Sequence, residues 1–165
     1  MMQQVNSLSL VKVQEATNLS QARSEVVLNG NNTGIIVPGE ILEAAVLINE
    51  QRYVLFLTDD VIFEESLTVA LIDLRGGIKE VVRVGNEYAT GYFEALSVTA
   101  DSISFRFIGE SLWTVTVSDT PRFRLPFVPD PQGVKRDTGF KKYMNISVTA
   151  APEGHRSLIR PRWKT

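Results

Sequence analysis

The apolar pattern of this chain predicts an all-β fold, an antiparallel meander forming a single barrel or sandwich, followed by a Pro-rich basic C-terminal arm. Three observations carry that expectation. Apolar residues recur with period two in several short runs, turn-forming residues fill the gaps between runs, and helical stripes are scarce.

Element by element, the first run is "LSLVKV". It sets Leu8, Leu10 and Lys12 against Ser9, Val11 and Val13, an imperfect alternation. The stretch "QEATNLSQARSE" at 14–25 is the best helix candidate, with Thr17 or Asn18 as a cap and a stripe of Ala16, Leu19 and Ala22. "NGNNTG" at 29–34 supplies residues that tolerate positive φ, and Pro38-Gly39 carries a type II turn signature. "EILEAAVLI" could be helical, but the Pro-Gly before it and "RYVLFL" after it favour a hairpin of strands. "YVLFL" and "LTVALIDL" are apolar on both faces, as strands near the middle of a packed sheet would be. "SISFRFI" then points Ile103, Phe105 and Phe107 one way, and "LWTVTVS" does the same with Trp113, Val115 and Val117. The intervening "RGG", "GNEYATG", "AD" and "GES" read as turns. The expected core comprises Leu55, Leu57, Val69, Leu71, Val82, Phe93, Ile103, Phe105, Phe107, Trp113 and Val115.

Past Ser118 the character changes. Pro121, Pro126, Pro129 and Pro131 argue against a central strand there, because proline cannot donate to a ladder. The expected division is a β domain over 1–120 and an extended basic arm over 121–165 that packs back on it, its tail partly disordered. "NISVTA" at 145–150 could return as a last strand.

A chain of 165 residues is long enough to bury one substantial core without metal or disulfide staples. It has no cysteine, which removes thiol catalysis, thiolate metal sites and disulfides. Its one histidine, His155, is a poor foundation for a Ser-His-Asp triad or a zinc site. No phosphate-loop or dinucleotide-binding glycine motif occurs. No cofactor or metal is expected. The N-terminus lacks a basic and apolar leader pattern, and no apolar run is long enough to span a membrane, so a cytoplasmic location is expected.

The net charge of −2 conceals a split. Residues 1–119 hold 16 acidic and 7 basic side chains, whereas residues 120–165 hold 3 and 10. The basic arm, interleaved with aromatics, invites comparison with single-strand nucleic-acid binders. The acidic body would repel phosphate chains, so nucleic acid is disfavoured and docking on the protein's own domain or on a partner is preferred.

These features point to a non-catalytic protein-interaction module (an adaptor, an assembly factor or an immunity-type protein), acting on a protein partner or by self-association. Its expected partner-binding residues are the acidic Asp59, Asp60, Glu64 and Glu65 and the arm residues Arg122, Phe123, Arg124 and Phe127. The alternative is a calycin-like β-barrel holding a small apolar ligand. A weaker alternative is a carboxylate-based enzyme drawing on Asp59, Asp60, Glu64, Glu65 and Asp73, provided two of them converge in a cleft. On the interaction reading, charge reversal at Glu64 and Glu65 is expected to weaken partner capture while leaving the melting temperature nearly unchanged. A pull-down paired with a thermal melt checks this.

Overall fold

The structure, a computed structural model, describes residues 2–59, 66–85, 91–108, 111–123, 130–136 and 141–149. Every regular element among them is a strand. In order these are β1 (Gln3–Val5), β2 (Leu8–Gln14), β3 (Arg23–Leu28), β4 (Asn31–Pro38), β5 (Ile41–Leu47), β6 (Arg52–Thr58), β7 (Ser66–Asp73), β8 (Gly77–Gly85), β9 (Glu94–Val98), β10 (Ile103–Arg106), β11 (Leu112–Phe123), β12 (Val134–Arg136) and β13 (Lys141–Thr149). They form three antiparallel sheets: a six-stranded sheet ordered β1-β5-β6-β7-β8-β12, a four-stranded sheet ordered β13-β11-β10-β9, and a three-stranded sheet ordered β2-β3-β4.

The six-stranded sheet is the middle layer. Every residue of β6 is buried, and so are the six central residues of β7. Alternate residues of these strands feed two separate cores. On one face Val54, Phe56, Val69 and Leu71 pack with Ile103, Phe105, Phe107, Trp113, Val115, Met144 and Ile146, from the four-stranded sheet and its connections. On the other face Tyr53, Leu55, Leu57, Ala70 and Ile72 pack with Leu8, Val26, Ile35 and Val37 of the three-stranded sheet. The expected core is therefore buried as anticipated, except that Phe93 is only partly buried, at the margin of the first cluster. Phe56, Phe93 and Phe105 form a compact triangle with ring centroids 5.0, 5.1 and 5.3 Å apart. Such tilted and edge-on contacts add to plain area burial.

Of the barrel or sandwich expected from the sequence, the barrel does not form: among the described residues there are three antiparallel sheets and no closed barrel. A small barrel has one filled interior. Two strands apolar on both faces demand cover on both sides, and layering supplies it.

The helix expected at 14–25 is also absent. Gln14 ends β2, Arg23 begins β3, and the intervening chain is irregular. The Thr17 hydroxyl accepts hydrogen bonds from the Leu19 and Ser20 amides, 3.1 Å each, in place of a helical ladder. Leu19, at the centre of the proposed stripe, is 97% exposed, so a helix here would have had no apolar face to bury. "EILEAAVLI" is strand, with Ala44 facing the first core and Ala45 the second.

Local turn chemistry explains the hairpins. Asn29 and Gly30 both have positive φ, 49° and 83°, between paired Leu28 and Asn31, the geometry a two-residue hairpin demands. Asn49 accepts the amides of Gln51 and Arg52, and Asp73 those of Arg75 and Gly76, shaping the next two turns. Pro38-Gly39 carries the chain from the three-stranded sheet into the middle one. Gly39 has φ 121°, its amide donates to the Ala22 carbonyl at 2.8 Å, and an added Cβ would sit 3.1 Å from Leu57 Cβ.

Phe56→Ala is expected to cost about 3–5 kcal/mol, since it opens a cavity in the first core. Gly39→Ala is expected to cost about 1–3 kcal/mol from strained backbone and the Leu57 contact. Urea unfolding of each variant measures both.

Candidate functional site

A set of buried polar contacts gathers where the four-stranded sheet meets the middle layer. Strand β11 pairs regularly with β13 as far as Val117↔Met144 and resumes at Arg122↔Lys142. Four residues, Ser118 to Pro121, thus face one, Tyr143. The proline supplies no donor here, and a bulge is where a strand tolerates it. The Ser118 hydroxyl sits between the carbonyls of Thr120 at 2.8 Å and Tyr143 at 3.1 Å, which share its single proton.

Two buried charges brace this bulge from beneath. Arg52, at the start of β6, donates from Nη1 to the Ser118 carbonyl at 3.0 Å and from Nη2 to Asp119 Oδ1 at 3.1 Å. On the other strand, Glu80 of β8 accepts the Met144 amide at 2.8 Å and the Tyr143 amide at 3.2 Å. Arg136 of β12 joins them. It pairs with Asp130 through Nε at 2.7 Å and Nη2 at 3.0 Å, with Glu80 at 3.1 Å, and donates to the Met144 carbonyl at 2.8 Å. The Arg136 side chain is 3% exposed and Glu80 10%. A buried arginine with several anionic and carbonyl oxygens in contact has its donors satisfied, so removing it strands the carboxylates.

Burial pushes the Glu80 carboxyl above its ordinary range, while the Met144 amide, the Arg136 charge and the Tyr143 amide pull it back. A raised value means that the folded state holds the proton more tightly than the unfolded chain. Glu80's contribution to stability is therefore fully present below the ordinary carboxylate range and falls as pH rises through the raised value.

Between the bulge and β13 lies a cleft of about 220 Å³. Arg122 and Lys142, directly across the ladder from one another, line it together with Thr116, Tyr143 and Asn145.

Of the residues expected to bind a partner, Asp59 and Arg122 are described with their side chains. Asp59 follows β6 and accepts the Gln21 amide nitrogen at 3.1 Å, and Arg122 lines the cleft. Phe123 is the last residue of β11, paired with Lys141. Asp60, Glu64, Glu65, Arg124 and Phe127 lie outside the described residues. Asp73 pairs with Arg52 at the start of β6, while Asp59 lies beyond the other end of that strand. A seven-residue strand holds these two carboxylates roughly 20 Å apart. Among the described residues no cluster of His, Asp and Glu is arranged to hold a metal ion, and no helix is long and apolar enough to cross a membrane.

Sequence reasoning missed Arg52, Glu80, Asp130 and Arg136 as a set. Nothing in their spacing announces them, because they meet only through strand register.

Arg136→Ala is expected to lower stability by about 3–5 kcal/mol. In urea unfolding at a series of pH values, wild-type stability minus that of Glu80→Gln is expected to shrink as pH rises from the ordinary carboxylate value of 4.5 through the raised one. A difference that grows over that window would contradict the assignment. Comparison with protein-family models, with curated proteins and with solved structures gave no match.

Proposed function

We propose that this chain is a non-catalytic interaction module that takes an extended segment of a partner polypeptide along the outer edge of β2. The observation that carries this reading is the state of that strand. It has seven residues and pairs only with β3, which leaves its other side unpaired among the described residues. Its outward Val11 and Val13 are 55% and 52% exposed. Val11, Glu25 and Ile36 form one row across the outer face of the three-stranded sheet.

Edge strands ordinarily carry a charge that deters pairing. Lys12 holds that position in sequence but does not serve it. Its ammonium contacts Glu40 at 2.5 Å and Glu15 at 3.0 Å, so its charge is engaged within the chain. What remains along the edge is an unpaired row of backbone groups, regular from Leu8 to Lys12 and interrupted by a register shift at Val13, with Val11 and Val13 exposed. A strand added there would gain main-chain hydrogen bonds and apolar contact together.

Native mass spectrometry of the gently purified protein from its own host tests the proposal. A co-purifying polypeptide or a defined homo-oligomer that disappears in Val11→Lys/Val13→Lys, with the melting temperature unchanged, is the expected result. A partner retained by the double variant would remove β2 as the docking strand. A constant extra mass of a few hundred daltons on a monomer would favour the small-ligand alternative.

A further inference from the structure

The geometry points to the cleft beside the β11 bulge as a binding site for a compact oxyanion of the phosphate type. This inference does not rest on the docking strand β2, which belongs to a different sheet.

Its first support is charge. Arg122 and Lys142 are direct cross-strand partners. Like charges in that relation repel and destabilise a sheet. Neither forms an ion pair among the described residues. Among the described acids, Asp119 pairs with Arg52 through one oxygen of an exposed carboxylate, and Glu80 and Asp130 pair with Arg136. Two cations thus converge on a space that the chain's described acids do not neutralise. An oxyanion seated between them converts repulsion into two charge-assisted contacts.

Its second support is that the space is built. The cleft of about 220 Å³ lies where four residues of β11 stand opposite one of β13, and residues on both sides of that mismatch line it. The floor is held from below: Arg52 fixes the Ser118 carbonyl, and Glu80 fixes the Tyr143 and Met144 amides. A preformed site avoids the ordering cost that weakens binding to mobile surfaces. Thr116 and Asn145 also line the cleft.

The test uses the full chain with inorganic phosphate, against chloride at matched ionic strength. Amide chemical shifts are expected to move saturably at Thr116, Ser118, Arg122, Lys142, Tyr143 and Asn145. At about tenfold excess over the dissociation constant the melting temperature is expected to rise by about 3 °C. Phosphate also stabilises proteins generally through exclusion from their surface, without saturation. The double variant Arg122→Gln/Lys142→Gln is therefore expected to keep the non-saturating increment and lose the saturable one. Arg122 is exposed and neither side chain fills a core, so the variant is expected to fold. Without phosphate, Lys142→Gln alone is expected to raise the melting temperature, since it removes the facing charge. Shifts that do not saturate, an equal saturable response in the double variant, or a lower melting temperature for Lys142→Gln in chloride would each overturn the assignment.

Discussion

The constraint on which the rest of this structure depends is that β6 and β7 are apolar on both faces. A strand of that kind cannot lie in a sheet with one wet side. Covering both sides takes two further sheets, and the chain supplies them from opposite ends of the sequence. Strands β2 to β4 close one side, and β9 to β11 with β13 close the other. Ala44, Ala45 and Ala70 fit this arrangement, since small side chains let neighbouring layers approach.

Two kinds of force hold the layers. Apolar packing is non-directional and would tolerate sliding of one sheet over another. The arginines add direction. Arg52 reaches from the middle sheet to the turn-like bulge of β11, and Arg136 with Glu80 reaches the backbone of β13. Because these contacts end on main-chain atoms at particular residues, they set where the four-stranded sheet sits. Buried ion pairs contribute little net stability compared with apolar replacements, and registry of this kind is their better-attested use.

Much of the strand content was legible in the sequence, and most of the core with it. Period-two alternation identified β10 and β11, the stretch at 29–34 was read as a turn, and the doubly apolar runs identified the central strands. The layering was less legible. The doubly apolar runs marked strands covered on both faces, but nothing in them said which sheets do the covering. The candidate site was legible only in part. Arg122 stood out through composition, but its pairing with Lys142 depends on a four-against-one mismatch between strands separated by many residues. Register of that sort is a property of the folded ladder and leaves no local trace. The false helix at 14–25 arose from spacing alone: Ala16, Leu19 and Ala22 recur correctly, yet only Ala22 is buried.

The position of β13 along the chain has a consequence for biosynthesis. Met144 and Ile146 complete the first core, and Glu80, from a strand made much earlier, waits for the Tyr143 and Met144 amides. A ribosome that has delivered the chain only as far as β12 has exposed an unfinished layer, with β11 lacking one of its two neighbours. Release of that intermediate from chaperone care would therefore coincide with emergence of β13. Truncations ending before Lys141 should behave as sticky nascent chains.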